Sequence, residues 1–584
     1  MLTTYMSGLS AALFGLNEAA LRLPSVGFSL ATVLAAYAFG KRVFSRPVGL
    51  LAAFILAFSH WELEFGRHAR MYVMFAFFYT FSLYAIYRGV YEGRRKWLVL
   101  SFLSGIAAVF SHVLGGALGL IYVAAALQPA RSHGTRVQLV VMAVVVMLAA
   151  HAEFWLVQYG FQIPMELHSL SSEAGSLQLN SGWFASLLQT IEATIFPRSW
   201  HPPVLWLGVL TMGLVYWYQR AEPLKARQWL LPLGTLFLLI FHQVLWAALV
   251  LWFYLLCRAQ GFHGLNRPVV RLTALMIIVF GLFWTLYGLS ADAPAAAFSE
   301  RLRAVLKFQS ELPKFYFLGL LRAFPLMASV TGLGILWFFH SNVGPRFSYA
   351  THFVLLAFTL SLVTIGFVKT DWVEYRLNFH LNPLFVILFA AAFVKLFERF
   401  TAFPRPITVA VMLGVVFLTC EQIYPARLVR VVNRDYGHAL DIRTAPGSHL
   451  LLMPDHQGPA VYVKQNAAAG DLVIAMDWLE QSFYGGKVDY WLRTDDYEGQ
   501  SFHVRHEYFD FYTRTRVVAQ VSDLESIIAQ RGAKAVWIVT ASPYTEMQLH
   551  VSREMLAYLD QLAPNLVYCG RDGKSVVYKL PPTM

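Results

Sequence analysis

Along the chain, apolar runs of about membrane-spanning length alternate with short polar turns up to about residue 420, where the pattern changes. Runs long enough, or nearly so, to cross a bilayer as helices occur at 24–40, 48–61, 71–87, 97–112, 115–126, 139–158 and 203–218. They continue at 229–256, 272–289, 315–339, 353–368, 381–396 and 407–420. The 229–256 run is basic on both flanks, so it is read as a tight two-span hairpin, with one long tilted helix as the alternative. The pattern predicts about thirteen or fourteen spans. Between 161 and 202, Leu and Ile are spaced among Ser, Glu and His, which predicts short helices lying on the membrane surface. From Tyr424 onward Asp, Gly and Gln interrupt short apolar runs. Strands are expected at 472–475, 535–539 and 575–579, and helices at 459–465, 524–531 and 552–562. The predicted architecture is a polytopic α-helical membrane domain over 1–422 followed by a soluble α/β domain over 423–584.

Composition sharpens this picture. Hydrophobic residues make up 57% of the 584 positions and charged residues only 14%, against roughly 25% charged in soluble domains. The net charge is +12, but most Lys and Arg punctuate short loops between apolar runs. That is the distribution of a membrane topology signal rather than of a nucleic-acid footprint, so no nucleic-acid partner is expected. The three cysteines, Cys257, Cys420 and Cys569, are too far apart in sequence to suggest a metal or disulfide motif. Residues 1–16 are apolar but lack the basic start and cleavage pattern of a signal peptide.

The basic loops at 41–46, 94–96, 131–136, 220–227, 258–271, 346 and 399–405 fall on one side if the spans alternate, and the positive-inside rule makes that side cytoplasmic. The other side then receives 1–22, the corner FGRHARMY at 65–72, the loops 161–202, 291–314 and 369–376, and everything after Glu421. The expected location is a plasma or inner membrane, with the active face and the C-terminal domain extracytoplasmic.

That outer face gathers an unusual set of ionisable residues. Asn17, Glu18 and Arg22 occur in FGLNEAALRLPS, and Glu62, Glu64, Arg67, His68, Arg70 and Tyr72 in WELEFGRHARMY. Ser111 and His112 close another span, and Asp371, Glu374, Arg376 and His380 lie in KTDWVEYRLNFHLNP. Each has an ordinary reading: Arg67 can snorkel, Glu18–Arg22 is an i,i+4 helix pair, His112 can be a satisfied core histidine, and Arg376 can be a topological anchor. Together they suit an anionic ligand, because guanidinium groups present paired donors to phosphate oxygens and membrane-embedded charge usually faces a cavity or a partner. Carboxylates beside them suit a base that takes a proton from a hydroxyl. The C-terminal region carries no dinucleotide fingerprint, no P-loop and no clear metal cluster.

FGLNEAALRLPSV, a basic turn, SHWELEFGRHARMY and EYRLNFHLNPLFVILFAA, in that order, resemble the GT-C fold glycosyltransferases of the protein O-mannosyltransferase and aminoarabinose transferase superfamily. The resemblance runs from Leu13 to about Glu421, and its first two motifs are its most specific part. It implies a transferase that moves a sugar from a polyprenyl-phosphate carrier to a glycan, lipid or protein acceptor on the extracytoplasmic side. It also implies that Glu18, Arg22, Arg67, Arg70, Tyr72, His112 and Arg376 line the site of the lipid phosphate. Relative to the family pattern, the chain begins just before FGLNEAALRLPS, so the family's first helix and the acidic loop with its expected catalytic Asp have no counterpart here. Glu64 is the expected substitute base, with Glu62 and Asp371 behind it. His68 stands where the family often has Glu or Gln, and Leu377 where Tyr is usual. No cofactor is required, although the chemistry admits a divalent metal. The alternatives are a catalytically inactive GT-C-like scaffold and a transporter or flippase of an anionic lipid. The latter predicts inverted repeats, and none is visible in the sequence.

Overall fold

The computed structural model describes residues 2–126, 133–157, most of 316–340, 345–365, 375–400, 405–433, 454–493, 501–504, 507–510, 515–541 and 550–582. The expected spans at 203–218, 229–256 and 272–289 and the loops 161–202, 291–314 and 369–374 lie outside these residues. The described residues fall into two compact units, the second holding 156–157 and those from Val432 onward and the first holding the rest.

The first unit is helical. Its N-terminal part consists of α1 (Leu2–Phe14), α2 (Glu18–Val43), α3 (Arg46–Phe58), α4 (His60–Gly66), α5 (Met71–Ile86), α6 (Arg95–Ser111), α7 (Ala117–Ala126) and α8 (His133–Val157). Later come α9 (Pro325–His340), α10 (Pro345–Ile365), α11 (Asn382–Phe400), α12 (Arg405–Thr419) and α13 (Pro425–Asn433). Among the described residues three helices are long and apolar enough to cross a membrane, or four if the bent pair α3–α4 counts as one span.

The distribution of polarity is that of a chain whose outside is apolar. On α1 the exposed side carries Tyr5, Leu9 and Leu13, and on α2 it carries Val26, Leu30 and Leu34. Both series recur at four-residue spacing, one helix face each. The buried side of α1 is Thr3, Ser7 and Ser10, and Ser7 and Ser10 donate to the carbonyls of Leu21 and Ala20 on α2. Small hydroxyl residues at a close helix–helix contact, with large apolar residues turned outward, suit packing in lipid. Residues 2–14, expected as part of an extramembrane face, are therefore a helix packed on α2. Its binary pattern is inverted relative to a soluble helix.

Close approach is also built into α2 and α3. A Cβ on Gly49 would lie 2.6 Å from the carbonyl oxygen of Tyr37 and 2.7 Å from the amide nitrogen of Lys41, so only glycine fits that crossing. Just beyond it, Glu92 receives Arg42 from α2 and Arg88 and Arg94 from its own neighbourhood, with Arg42 Nη2 at 2.9 Å. Burial alone would raise the Glu92 pKa, but hydrogen bonding from Arg42 and the charges of Arg42 and Arg88 hold it below its usual value. The basic segments at 41–46 and 94–96, predicted to share a side, thus meet at one end of the α2–α5 pair.

The second unit is a mixed eight-stranded sheet ordered β3-β4-β5-β2-β1-β6-β8-β7. Its centre is parallel, β5 (Arg516–Val518), β2 (Tyr490–Leu492), β1 (Leu472–Ala475) and β6 (Val536–Thr540). Antiparallel strands β3 (Ser501–Val504) and β4 (Glu507–Asp510) extend one edge, and β8 (Val576–Leu580) and β7 (Leu566–Cys569) the other. The two-residue alternation assigns the faces. Ile474, Ile538 and Val536 pack with Leu524, Met555 and Leu559 of α16 (Val521–Ala529) and α17 (Arg553–Gln561), whereas Val473, Ala475 and Trp537 pack with Val463 of α14 (Gln457–Asn466). A fourth helix, α15 (Trp478–Gly485), follows β1. Parallel sheets require cover on both faces, which explains why the central strands are continuous apolar runs.

Asp471 ties the start of β1 to β6. Its carboxylate accepts from the Trp537 indole at 2.9 Å and from the backbone N–H groups of Ala468 and Ala535 at 2.9 and 3.1 Å. Burial works against the charge, but these donors, Trp537 first, hold the Asp471 pKa below its usual value. Its contribution to stability is therefore complete above the usual carboxylate pKa and is lost as the pH falls through the lowered one. Asp471→Ala strands three donors and is expected to cost about 3 kcal/mol, read as a lower unfolding midpoint of the sheet unit at pH 7. The deficit relative to the native chain should shrink in acid.

Candidate functional site

The predicted corner 65–72 forms around a break in the helix path. Ser59 ends α3 and caps α4, its Oγ accepting from the Glu62 amide at 3.3 Å, and the two helices meet at a 58° bend. Glu62 and Glu64 therefore lie on a short helix rather than in a turn, and the expected span 48–61 ends at Phe58. The signal was present as S-H-W-E, a capping box in which Ser at the N-cap is followed three residues later by Glu. It lies inside a run that looks uniformly apolar.

The bend is fixed from behind by groups the sequence does not connect. Ser59 Oγ donates to Gln422 Oε1 at 2.8 Å, the His60 Nδ1–H donates to the Gln422 carbonyl at 2.8 Å, and Gln422 Nε2 donates to Asn382 Oδ1 at 2.6 Å. The neighbouring Glu421 carboxylate accepts from the first amides of α9, Leu326 and Met327. Trp61 and Phe65 pack on Phe379, and Trp61 also on Phe324. At Gly66, where α4 meets α2, a Cβ would lie 3.2 Å from Ser29 Oγ, so a larger residue would have to displace that side chain.

Glu64 is fully buried. Its carboxylate faces Arg67 Nη2 at 3.6 Å and His68 Nε2 at 3.1 Å. Arg67 also donates to the carbonyl of Val431. Arg22, one helix away, pairs with Glu18 on its own helix, as the i,i+4 spacing predicts. Burial, then the positive charges of Arg70, Arg22 and Arg67, push the His68 pKa down to about 3. The imidazole therefore stays neutral, with Nε2 3.1 Å from a Glu64 oxygen. Because its folded pKa lies below the usual value of about 6.5, the folded state loses stability as the pH falls through that value. His68→Gln is expected to shrink the drop in melting temperature between pH 7 and pH 5.

Arg70 differs from its neighbours. It is exposed, has no ion pair with a carboxylate among the described residues, and as N-cap of α5 supplies no side-chain cap. The first amides of α5 and the Arg70 guanidinium together form a positive, hydrogen-bond-donating corner, the combination that binds phosphate at helix starts.

Behind the corner runs a ladder of rings. Tyr72 is buried against Phe65 and His112, Phe75 stacks on His112 at 5.3 Å between ring centroids, and His380 packs on Phe75 and Tyr79. His112 Nδ1 accepts from the Leu114 amide at 3.2 Å, so its neutral ring carries the proton on Nε2. The structure thus brings together Glu18, Arg22, Glu64, Arg67, His68 and Arg70, and separately Tyr72 with His112. Arg376 lies on the 3-10 turn Tyr375–Leu381 that packs on α5, its side chain outside the described residues, as is Asp371 entirely. In the sheet unit, where the sequence offers no clear metal cluster, His456, Asp477 and Glu480 bring donor atoms within 4.8 Å of one another.

Comparisons with known proteins bear on this corner. Residues 1–155 match the family described as dolichyl-phosphate-mannose-protein mannosyltransferase. No curated protein sequence matches the chain. Among solved structures, the archaeal oligosaccharyltransferase AglB from Archaeoglobus fulgidus, in complex with an inhibitory peptide and a dolichol-phosphate, aligns at 12% identity and a TM-score of 0.43, over 83% of this chain and 55% of that one. The chain thus spans about half the length of that enzyme. A second structure of the same archaeal oligosaccharyltransferase, in complex with Zn and sulfate, aligns at 12% identity and a TM-score of 0.41, over 83% of this chain and 53% of that one. ArnT from Cupriavidus metallidurans bound to undecaprenyl phosphate aligns at 13% identity and a TM-score of 0.35, over 99% and 87%. Likenesses of this size are too slight to carry an argument, and the family match covers the N-terminal part alone, which contains α1–α7, most of α8 and the whole basic corner. Over its first 155 residues, the chain is thus similar to the family described as dolichyl-phosphate-mannose-protein mannosyltransferase.

Proposed function

We propose that the protein transfers a sugar from a polyprenyl-phosphate carrier to a glycan, lipid or protein acceptor at the extracytoplasmic face of the membrane. The observation that carries this reading is the gathering of Arg67 and His68 around Glu64, with Arg70 exposed at the uncapped start of α5. A lipid phosphate leaving group gains charge as the bond to the anomeric carbon breaks, and preorganised cations stabilise that charge most where water is scarce. Arg70 is the group that meets the phosphate. Arg67 and Arg22 set the field around it, and Tyr72, His112 and Arg376 line the remainder of the pocket.

Glu64, expected from sequence as the base, is assigned a positioning role. A general base must reach the proton it removes, and this carboxylate is enclosed with its oxygens directed at Arg67 and His68. Glu62 and Asp371 are then the remaining nominees for the base, on sequence grounds alone.

The test is turnover. The full chain, purified and reconstituted in lipid vesicles, is given a radiolabelled polyprenyl-phosphate sugar and membrane extract as acceptor source. Loss of label from the lipid pool with gain in an acceptor fraction supports the proposal. Movement of intact lipid between leaflets without loss of label would instead indicate a flippase. Binding of the lipid without either would indicate an inactive scaffold.

A further inference from the structure

We propose that His456, Asp477 and Glu480 form a binding site for a divalent transition-metal ion at the carboxyl edge of the parallel sheet. It stands or falls independently of the basic corner in the helical unit.

The chain leaves β1 for β2 on one side, while β6 pairs with β1 on the other. At such a switch in strand order the connecting segments diverge and open a crevice beyond the carboxyl ends of the strands, where α/β sheets place their ligands. Asp477 lies two residues past the end of β1 and caps α15, Glu480 sits in the first turn of that helix, and His456 immediately precedes α14. Two separate helix starts thus deliver three donors to the same point.

One donor atom from each residue lies within 4.8 Å of the others. His456 Nδ1 and Asp477 Oδ2 are 3.8 Å apart, too far for a hydrogen bond. Two atoms bound to one ion at about 2.1 Å each are separated by about 3–4 Å, so the gap matches a shared ion better than a direct contact.

Local structure explains only part of this. Asp477 Oδ1 accepts from the Glu480 amide at 3.4 Å, which accounts for one oxygen as a helix cap and leaves Oδ2 turned toward His456. A capping-box spacing turns Glu480 back toward Asp477, but capping does not require His456 to face the same point. Two half-buried carboxylates side by side repel one another, and a dication removes that repulsion. Asp455 and Asp572 stand close by with their carboxylates already engaged: Asp455 accepts from the amides of Gly458 and Arg571, and Asp572 from those of Asp455, Lys574 and Ser575. They supply a rigid, negative surround rather than ligands.

One imidazole and two carboxylates suit Zn²⁺, Mn²⁺ or Fe²⁺. Three protein ligands leave a coordination position for water or an incoming group.

The experiment uses the full, untagged chain in detergent, stripped with a chelator and titrated with Zn²⁺ alone. Calorimetry gives affinity and elemental analysis gives stoichiometry, on the native chain, His456→Ala and Glu480→Gln. The proposal expects one equivalent bound by the native chain, with affinity falling more than the roughly 10–100-fold typical of losing a supporting group in each variant. Glu480→Gln keeps the size and the helix cap, so it remains informative if His456→Ala fails to fold. No saturable Zn²⁺ binding, or one equivalent bound with unchanged affinity in Glu480→Gln, would overturn the proposal.

Discussion

Arg70→Ala is expected to lower the rate of sugar transfer by about 100-fold or more while leaving the fold intact. Removing a single preorganised donor from a developing negative charge typically costs two to three powers of ten. Arg70 is exposed and is the cation of the corner with no carboxylate partner among the described residues, so little besides ligand contact should depend on it. Arg70→Lys keeps the charge but loses the paired donors and should recover only part of the rate. Arg95→Ala is the matched control: that residue is also exposed, at the start of α6, and its loss should leave the rate unchanged. Initial rates with the labelled lipid-linked sugar decide the matter, and equal rates for Arg70→Ala and Arg95→Ala would remove Arg70 from the site.

The second large effect falls on stability. Glu64→Ala leaves Arg67, with Arg22 and Arg70 close by, facing a fully buried position that holds no negative charge. Removing one member of a buried ion pair costs about 3–5 kcal/mol, and Arg67 is partly open to solvent, so a loss of about 3 kcal/mol is expected. Glu64→Gln keeps the size and a polar group beside Arg67 and His68 and should lose less. Unfolding midpoints of the reconstituted protein measure both. If Glu64 instead acted as an exposed base, Glu64→Gln would abolish transfer with no change in midpoint, the reverse of the expected order.

How far the sequence discloses this structure depends on the range of the interactions involved. The two-residue and 3.6-residue alternations are local, and they place β1 at 472–475, where it is found, and β6 and β8 within one residue. They likewise place α2, α5 and α11 on apolar runs. The inverted polarity of α1 was missed because its ends carry no cap signal and its buried side is Ser and Thr, which read as surface. The break at Ser59 was written in a capping box but hidden by the apolar residues around it. Long-range pairings leave no local trace: His60 meets Gln422 across 362 positions. His456, Asp477 and Glu480 have no motif spacing because the turn after β1 brings them together. The arginine cluster was legible for a different reason. Uncompensated charge beside a membrane span is costly enough to be noticed before its partner is known.

The most direct test of the central claim is whether the corner binds a lipid by its phosphate. Native mass spectrometry of the intact chain would compare a polyprenyl phosphate with the polyprenol that lacks the phosphate, on the native protein and on Arg70→Ala. The account predicts tight binding of the phosphate form alone, weakened about tenfold or more by Arg70→Ala. Equal retention of both lipids, or phosphate-lipid binding unaffected by Arg70→Ala, would contradict it.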